Sequence, residues 1–245
     1  MKRIAIFTEG QTELIFVREF LLKVGDLNKI SFECVKLHAG NETPVDYDYN
    51  NPLSKIHFLI INVQNDNKVL SAILEKENYL LNKKQYKRII GLRDMYSRKY
   101  REVSPGKISK KLIRETIETV NEILEEQTTD SEKIGFYFSI MEIETWILSM
   151  YNLFAKINEA LTVDHIEVEL GFNLSDIDPQ LTFFKPSNEL SEIFKLVDES
   201  YDKKLKDVER ICNYINVDDY QEAIENERCV SFSLFQNEIQ NCLNC

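Results

Sequence analysis

The chain has 245 residues, of which 43% are hydrophobic and 29% charged, a composition typical of a folded globular protein. No apolar run approaches the roughly 18 residues that a membrane-spanning helix needs, and the run after Met1-Lys2-Arg3 is too short for a signal peptide. We therefore expect a cytoplasmic protein with no membrane partner, and the net charge of −11 predicts that the molecule as a whole repels nucleic acid.

Strands and helices alternate along the first 160 residues. Apolar or alternating runs predict strands at 3–8, 30–37, 56–63, 86–92 and 133–140. Helical spacing predicts helices at 12–24, where Thr12 is the expected N-cap, around 69–80, at 107–126 and in the segment from Trp146 to Leu153. Segments 38–53 and 95–106 are predicted loops. This alternation predicts an α/β domain over residues 1–160 with a mainly parallel sheet and helices on both faces.

The strand signal fades beyond residue 160. Helical runs are predicted at 188–197, 203–214 and 234–243. We therefore interpret residues 161–245 as a helical extension packed on the α/β domain.

Acidic residues follow three of the predicted strands. Glu9 precedes Gly10 after the first strand, Asp94 follows the strand that ends at Leu92, and Glu142 and Glu144 follow the strand that ends near Ile140. Parallel strands bring their carboxyl ends to one edge of a sheet, so these side chains are expected to converge. Carboxylates without His or Cys partners suit Mg²⁺ or Mn²⁺, ions that position a phosphodiester and activate water.

Each carboxylate also has a structural interpretation. Glu13, which could hold an outer-shell water or the substrate hydroxyl, also complements the dipole of the first helix. Asp94 could pair with a neighbouring basic residue, and one of Glu142 and Glu144 could cap a helix. Their shared placement at strand ends favours the metal site.

Basic residues are concentrated between Lys83 and Arg114. This segment holds twelve Lys or Arg and two acids, a net charge of +10, which leaves −21 on the rest of the chain. Such a stripe is typical of a polyanion-binding surface, although a solvated helix face has the same pattern. The candidate phosphate contacts are Arg93, Arg98, Lys99, Arg101 and Lys107. Tyr96 and Tyr100, in the same segment, are expected to pack locally.

The five cysteines are odd in number and irregularly spaced, which predicts reduced thiols. Cys242 and Cys245 form a lone CxxC pair at the C-terminus. It could be half of a zinc or redox site, but with no second ligand pair we interpret it as two thiols on a frayed tail.

The acidic motifs resemble those of Toprim domains, the Mg²⁺-dependent modules of topoisomerases, primases and OLD nucleases. The stretch Thr8-Glu9-Gly10-Gln11-Thr12-Glu13 is similar to the opening Toprim motif, and Asp94 matches the first residue of the later Asp-x-Asp motif. Tyr96 stands where the second Asp is expected. An Asp-x-Tyr followed by Glu142-Ile143-Glu144 resembles a bacterial Toprim-like family, whose tail is similar to Pro186-Ser187 through Leu190 with Lys203-Lys204.

This resemblance implies a Toprim/Rossmann-like fold and a Mg²⁺- or Mn²⁺-dependent nuclease. The implied metal ligands are Glu9, Asp94 and Glu144, with Glu142 as fourth ligand or base. Glu13 is a further candidate catalytic residue from its place in the first helix. The resemblance also implies the effector of an anti-phage abortive-infection system, with a DNA or RNA substrate and a controlling ABC- or SMC-like ATPase partner.

A catalytically degenerate subunit that binds an ATPase or nucleic acid is the alternative, because Tyr96 replaces an expected ligand. A topoisomerase or primase is less favoured, since no further domain is evident, and a dinucleotide-binding domain is disfavoured by the absence of G-x-G-x-x-G. The sequence leaves a homodimer open.

Overall fold

The fold is built on one six-stranded sheet, seen in a computed structural model that describes residues 1–38, 40–65, 68–225 and 228–244. The strands lie in the order β3-β2-β4-β1-β5-β6. Their bounds are β1 Lys2–Thr8, β2 Ile30–His38, β3 Asn41–Pro44, β4 Ile56–Asn62, β5 Arg88–Asp94 and β6 Ile134–Ser139.

Parallel pairing dominates this sheet. β1 pairs with β4 on one side and with β5 on the other, both in parallel, and β2 pairs in parallel with β4. β3 is an antiparallel edge strand on β2. The residues of β1 from Ile4 to Thr8 are all buried. Since successive side chains of a strand point to opposite faces, both faces of the sheet are covered at its centre. The predicted α/β class with a mainly parallel sheet is confirmed.

The described residues form twelve α-helices, most of them in the second half of the chain. In chain order they are α1 Gln11–Val24, α2 Val69–Asn78, α3 Arg98–Val103, α4 Lys110–Gln127, α5 Glu144–Leu148, α6 Leu153–Ile157, α7 Val163–Leu170, α8 Pro179–Thr182, α9 Pro186–Lys195, α10 Leu205–Tyr214, α11 Val217–Ile224 and α12 Val230–Asn244. A π-helical turn, Tyr79–Lys83, extends α2, and a 3-10 turn, Ser131–Lys133, precedes β6.

Four local predictions were wrong. Thr12 is not the N-cap of α1, because the helix begins one residue earlier and Gly10 caps it. The predicted loop 38–53 contains β3, and the predicted loop 95–106 contains α3, whose N-cap Ser97 accepts a hydrogen bond from the Tyr100 N–H at 3.2 Å. The predicted helix around Trp146 is two short helices, α5 and α6.

The chain divides into two compact units. The first, here called the sheet unit, comprises Met1–Arg93, Lys110–Phe138 and Gln236–Cys245. The second, the helical unit, comprises Asp94–Ser109 and Ser139–Phe235. These boundaries do not coincide with the ranges 1–160 and 161–245.

In the described part of the chain, Cys34, Cys212, Cys229 and Cys242 are buried thiols outside any disulfide, in agreement with the predicted reduced thiols. Cys242 lies within α12 and its Sγ is 3.8 Å from Glu238 Oε1, so the frayed tail predicted for it was wrong. Cys245 lies outside the described residues.

Candidate functional site

Three of the acids selected from the sequence lie in the helical unit. Asp94 ends β5, Glu142 lies in the turn between β6 and α5, and Glu144 is the first residue of α5. The backbone N–H of Tyr96 donates to the carbonyl oxygen of Met141 at 2.7 Å, which holds the segment after Asp94 against the turn that carries both glutamates. Met141 has a left-handed φ of 67°, a conformation that redirects the chain between strand and helix.

A lysine joins the two glutamates. Lys203 Nζ lies 2.8 Å from Glu142 Oε1 and 3.0 Å from Glu144 Oε2. Both glutamates are buried, whereas 35% of the Lys203 side chain is exposed. Lys203 also has a left-handed backbone, with φ 56°, just before α10. Two carboxylate oxygens therefore converge on one cationic centre.

The second oxygens of the two glutamates have their own donors or neighbours. Glu142 Oε2 accepts from the Ser187 N–H at 3.0 Å, next to the N-terminus of α9, and Glu144 Oε1 accepts from the Tyr201 hydroxyl at 2.8 Å. Glu144 Oε2 is buried and makes no hydrogen bond of good geometry in the described part of the chain, although the Lys203 ammonium is an ion-pair distance away. The Lys203 ammonium is the partner that stabilises this oxygen.

The charges of this cluster act strongly on one another. Burial raises the pKa of Glu144, the attraction of Lys203 opposes the rise, and the nearby charge of Glu142 adds to it. Burial by itself would lower the pKa of Lys203, but the negative charges of Glu144, Asp94 and Glu142 outweigh it and raise that pKa. Asp94 Oδ1 accepts a hydrogen bond from the Ser139 hydroxyl. The lysine is therefore a permanent ammonium beside more than one carboxylate.

Oxygen donors of this type suit a hard divalent cation, since Mg²⁺ and Mn²⁺ prefer carboxylates. Asp94, Glu142 and Glu144 have the chemistry to hold such an ion, and the converging oxygens already surround a positive charge. Across the described ranges, however, no three His, Cys, Asp or Glu side chains are arranged as a metal-binding group. The metal site therefore remains a prediction, and the position between the two glutamates is taken by the Lys203 ammonium.

Glu9 and Glu13 lie in the sheet unit. Glu9 follows β1 and is partly exposed, whereas Glu13 is buried in the first turn of α1. A Cβ added to Gly10 would lie 3.0 Å from Glu13 Oε2, so glycine leaves the space that this carboxylate occupies. Glu9 lines a polar pocket of about 390 Å³.

The candidate phosphate contacts fall in both units. Arg93, in the sheet unit, lies over the ring of Phe138 with its Cζ 5.6 Å from the ring centroid. The helical unit carries exposed side chains at Arg98, Lys99, Arg101 and Lys107. Some basic residues of the predicted stripe are paired with acids one helical turn away, at Arg98–Glu102, Lys111–Glu115 and Arg114–Glu118. Such pairing reduces the positive potential expected from the sequence.

The local packing predicted for two tyrosines is confirmed. Tyr96 meets Phe184 edge-on, with 5.4 Å between the ring centroids, and Tyr100 is buried with its hydroxyl accepting from the Ser109 N–H at 2.8 Å.

The sequence did not assign roles to Lys203, Tyr201, Ser139 or Ser187. Lys203 lies 61 residues from Glu142 along the chain and belongs to no strand end, so strand-end reasoning could not select it. The available signal was the similarity of Lys203-Lys204 and Pro186-Ser187 to the tail of the Toprim-like family.

No helix in the described ranges has both the length and the apolar composition needed to cross a membrane. A scan against protein-family models, a search of curated proteins and a search of solved structures each found no match to this chain. The resemblance to Toprim-like nucleases therefore rests on the quoted motifs.

Proposed function

We propose that this protein is a Mg²⁺- or Mn²⁺-dependent nuclease that hydrolyses phosphodiester bonds in DNA or RNA. The observation that carries the proposal is the convergence of Glu142 Oε1 and Glu144 Oε2 on one cationic centre, at 2.8 and 3.0 Å. Two buried carboxylates around one ammonium leave negative charge that a packing role does not require, because burying a charge costs free energy unless it is compensated.

In this proposal Asp94, Glu142 and Glu144 hold the ion, which supplies Lewis-acid activation of the phosphodiester and of the attacking water. Ser139 and Tyr201 orient two of these carboxylates by hydrogen bonds to Asp94 and Glu144. The ion would take the place of the Lys203 ammonium between the glutamates, and the displaced ammonium can donate hydrogen bonds to a phosphate oxygen. The exposed basic residues of the helical unit neutralise neighbouring phosphates. The ligand role of Glu9 and the catalytic role of Glu13 remain predictions from the sequence.

The experiment is cleavage of end-labelled DNA and RNA strands by the purified full chain with Mn²⁺. We expect cleavage by the wild type and a loss of about 100-fold or more in Glu142→Gln and Glu144→Gln. Glu238→Gln, the same chemical change at a paired carboxylate in the sheet unit, is the matched control and should keep the rate. Equal cleavage by Glu142→Gln and wild type would overturn the proposed role of the cluster.

A second function is favoured by the position of Lys203. Its ammonium occupies the place between the glutamates, and the described residues show no carboxylate group arranged for a metal. A lysine in place of a metal ion is expected in a catalytically degenerate subunit that only binds a partner ATPase or nucleic acid. It predicts that no divalent ion binds in a manner that depends on Glu142.

The proposed biological role is the toxic effector of an abortive-infection system, controlled by an ABC- or SMC-like ATPase. The charge of −21 outside the basic segment supports this dependence, because it weakens intrinsic binding to nucleic acid. Expression with and without an ATPase encoded by a neighbouring gene tests this role. Toxicity should depend on the ATPase and disappear in Asp94→Ala and Glu9→Ala, and toxicity that persists in both variants would contradict it.

A further inference from the structure

The sheet unit contains a polar pocket at the carboxyl ends of β1 and β4. The chain leaves β1 through α1 and reaches β2, beyond β4, whereas it leaves β4 through α2 and reaches β5, beyond β1. The connections that leave these two adjacent strands therefore run in opposite directions along the sheet. In open α/β sheets such a switch point forms a crevice where ligands bind.

The pocket has a volume of about 390 Å³, within the range of small-molecule sites. Its described lining is polar, with side chains from Glu9, Gln11, Lys36, Asn62, Gln64 and Asn65. Four of these are amides, which carry both donors and acceptors. A site of this volume is large enough for one nucleotide.

Asn62 is hydrogen-bonded to both Gln11 and Gln64. It is buried, its Oδ1 accepts from the Gln64 N–H at 2.8 Å, and its Nδ2 donates to Gln11 Oε1 at 3.3 Å. Gln64 Nε2 donates to the Leu37 carbonyl at 3.3 Å. Within the hydrogen bonds of the described residues, Gln11 thus keeps its amide hydrogens and Gln64 keeps its carbonyl oxygen. The two amides thus offer donors and an acceptor in one pocket, the groups that recognise the edge of a nucleobase.

Lys36 brings positive charge to the pocket, which is also lined by the Glu9 carboxylate. Lys36 is the register partner of Asn62 across β2 and β4, which places the two residues side by side at the strand ends. The N-terminus of α1 also begins here, and its N-cap, Gly10, has no side chain to accept from the first-turn N–H groups. An ammonium and a helix N-terminus both favour a phosphate.

From the pocket, its amide pair and its positive groups, we infer that the crevice between β1 and β4 binds one unpaired nucleotide, free or within a single strand. Gln11 and Gln64 contact the base edge, and Lys36 contacts the phosphate. The inference rests on the proposed nuclease function, for which it makes an unpaired segment of nucleic acid the substrate. Binding of the nucleotide does not itself require cleavage.

The test is binding of a fluorescent single strand to the full chain at low ionic strength with EDTA, measured by anisotropy. Three ligands are compared: the strand, the same strand with abasic sites, and its duplex. We expect the abasic strand and the duplex to bind at least about fivefold more weakly than the strand. Equal affinity for the strand and either of the other two would overturn the inference.

Two pocket variants and one matched control accompany this test. Gln64 has a left-handed φ of 60°, so Gln64→Gly removes the amide without straining the backbone. Gln11→Ala places a good helix former in the first turn of α1. Each should weaken binding of the strand at least about fivefold. Gln85→Gly, the same change at φ 59° outside the pocket, should not. Wild-type affinity in both pocket variants would overturn the inference.

Mononucleotides as competitors identify the source of the ligand. Full competition by a mononucleotide assigns a free nucleotide, and competition only by dinucleotides and longer strands assigns a nucleotide within a chain. A protein that binds strands through Gln64 but cuts none keeps this inference and overturns the nuclease. A protein that cuts strands with Mn²⁺ but binds them independently of Gln11 and Gln64 keeps the nuclease and overturns this inference.

Discussion

Glu238 in the sheet unit and Glu144 in the helical unit are shielded carboxylates with the same kinds of partner. Glu238 accepts from Tyr137 at 2.7 Å and from Arg88 at 2.5 and 2.9 Å, in a bidentate pair. Glu144 accepts from Tyr201 and lies beside Lys203, but it shares that lysine with Glu142. One cluster has one base for one acid, and the other has one base for two.

This difference in charge balance reverses the direction of the pKa shifts. Burial opposes ionisation of Glu238, but the hydrogen bonds of Arg88 and Tyr137 and the charge of Arg88 outweigh it and lower its pKa. Burial dominates at Glu144 and raises its pKa. The Glu238 cluster stabilises the fold, since it links α12 to β5 and β6. In the Glu144 cluster two buried carboxyl groups share one base, an arrangement typical of functional sites.

The largest expected effect comes from removing the shared base. Lys203→Met leaves two buried carboxylates without their ammonium and should lower the free energy of unfolding by about 3 kcal/mol. If the carboxylates hold a divalent ion, Mn²⁺ should restore part of the lost thermal stability.

Arg88→Met is the matched control for this variant. It should destabilise the protein similarly, but Mn²⁺ should not restore it, because Glu238 is a single carboxylate. Restoration of both variants, or of neither, in thermal melts would contradict the comparison.

Glu238→Gln should lower the free energy of unfolding by about 2 kcal/mol at neutral pH. Because the pKa of Glu238 is lower in the folded chain than its ordinary value of 4.5, its ion pair stabilises the fold above pH 4.5. That contribution is lost as the pH falls through the lowered folded value.

Urea unfolding across pH 3 to 7 therefore checks the sign: the difference between wild type and Glu238→Gln should shrink on acidification. A difference that grows as the pH falls would show that the pKa is not lowered.

The two tyrosine hydroxyls provide a smaller test. Tyr201→Phe and Tyr137→Phe each remove one hydrogen bond to a carboxylate and should cost about 1 kcal/mol in urea unfolding. They should differ in Mn²⁺ affinity, which Tyr201→Phe should weaken about 10-fold by freeing Glu144, whereas Tyr137→Phe should leave it unchanged. Equal Mn²⁺ affinities in the two variants would remove Tyr201 from the proposed site.

The smallest effect on stability is expected at the exposed basic residues of the helical unit. Lys99→Gln and Lys107→Gln should change stability by less than about 0.5 kcal/mol, and each should reduce the salt dependence of strand binding by about one phosphate contact. Lys195→Gln, an exposed lysine paired with Glu192, is the control. A salt dependence that is unchanged in the first two variants would exclude them from the phosphate contacts.

The sheet was predictable because burial on both faces leaves continuous apolar runs, as in β1 and β4. β3 was not, because all four of its residues are exposed and its pairing rests on backbone hydrogen bonds. α3 was missed for a similar reason, since it buries one residue, Tyr100, and depends on the Ser97 cap.

The candidate site, like the fold, was predictable from the sequence only in part. Strand-end reasoning selected Asp94, Glu142 and Glu144, because topology places strand ends and the turns that follow them. Lys203 and Tyr201 come from a segment between α9 and α10. The resemblance marked Lys203-Lys204, but the approach of this segment to the glutamates depends on tertiary packing. The pocket residue Asn62 ends the apolar strand β4 and Gln64 follows it, but amides at a strand end carry no metal-ligand signature that would select them.

The central claim is that the glutamates sharing Lys203 hold a divalent ion, and calorimetric titration of Mn²⁺ into the full chain tests it most directly. We predict one binding event in the wild type and in Glu238→Gln, and its loss in the Glu142→Gln, Glu144→Gln double variant. Absence of Mn²⁺ binding in the wild type, or binding that survives in the double variant, would contradict the claim and favour the degenerate subunit.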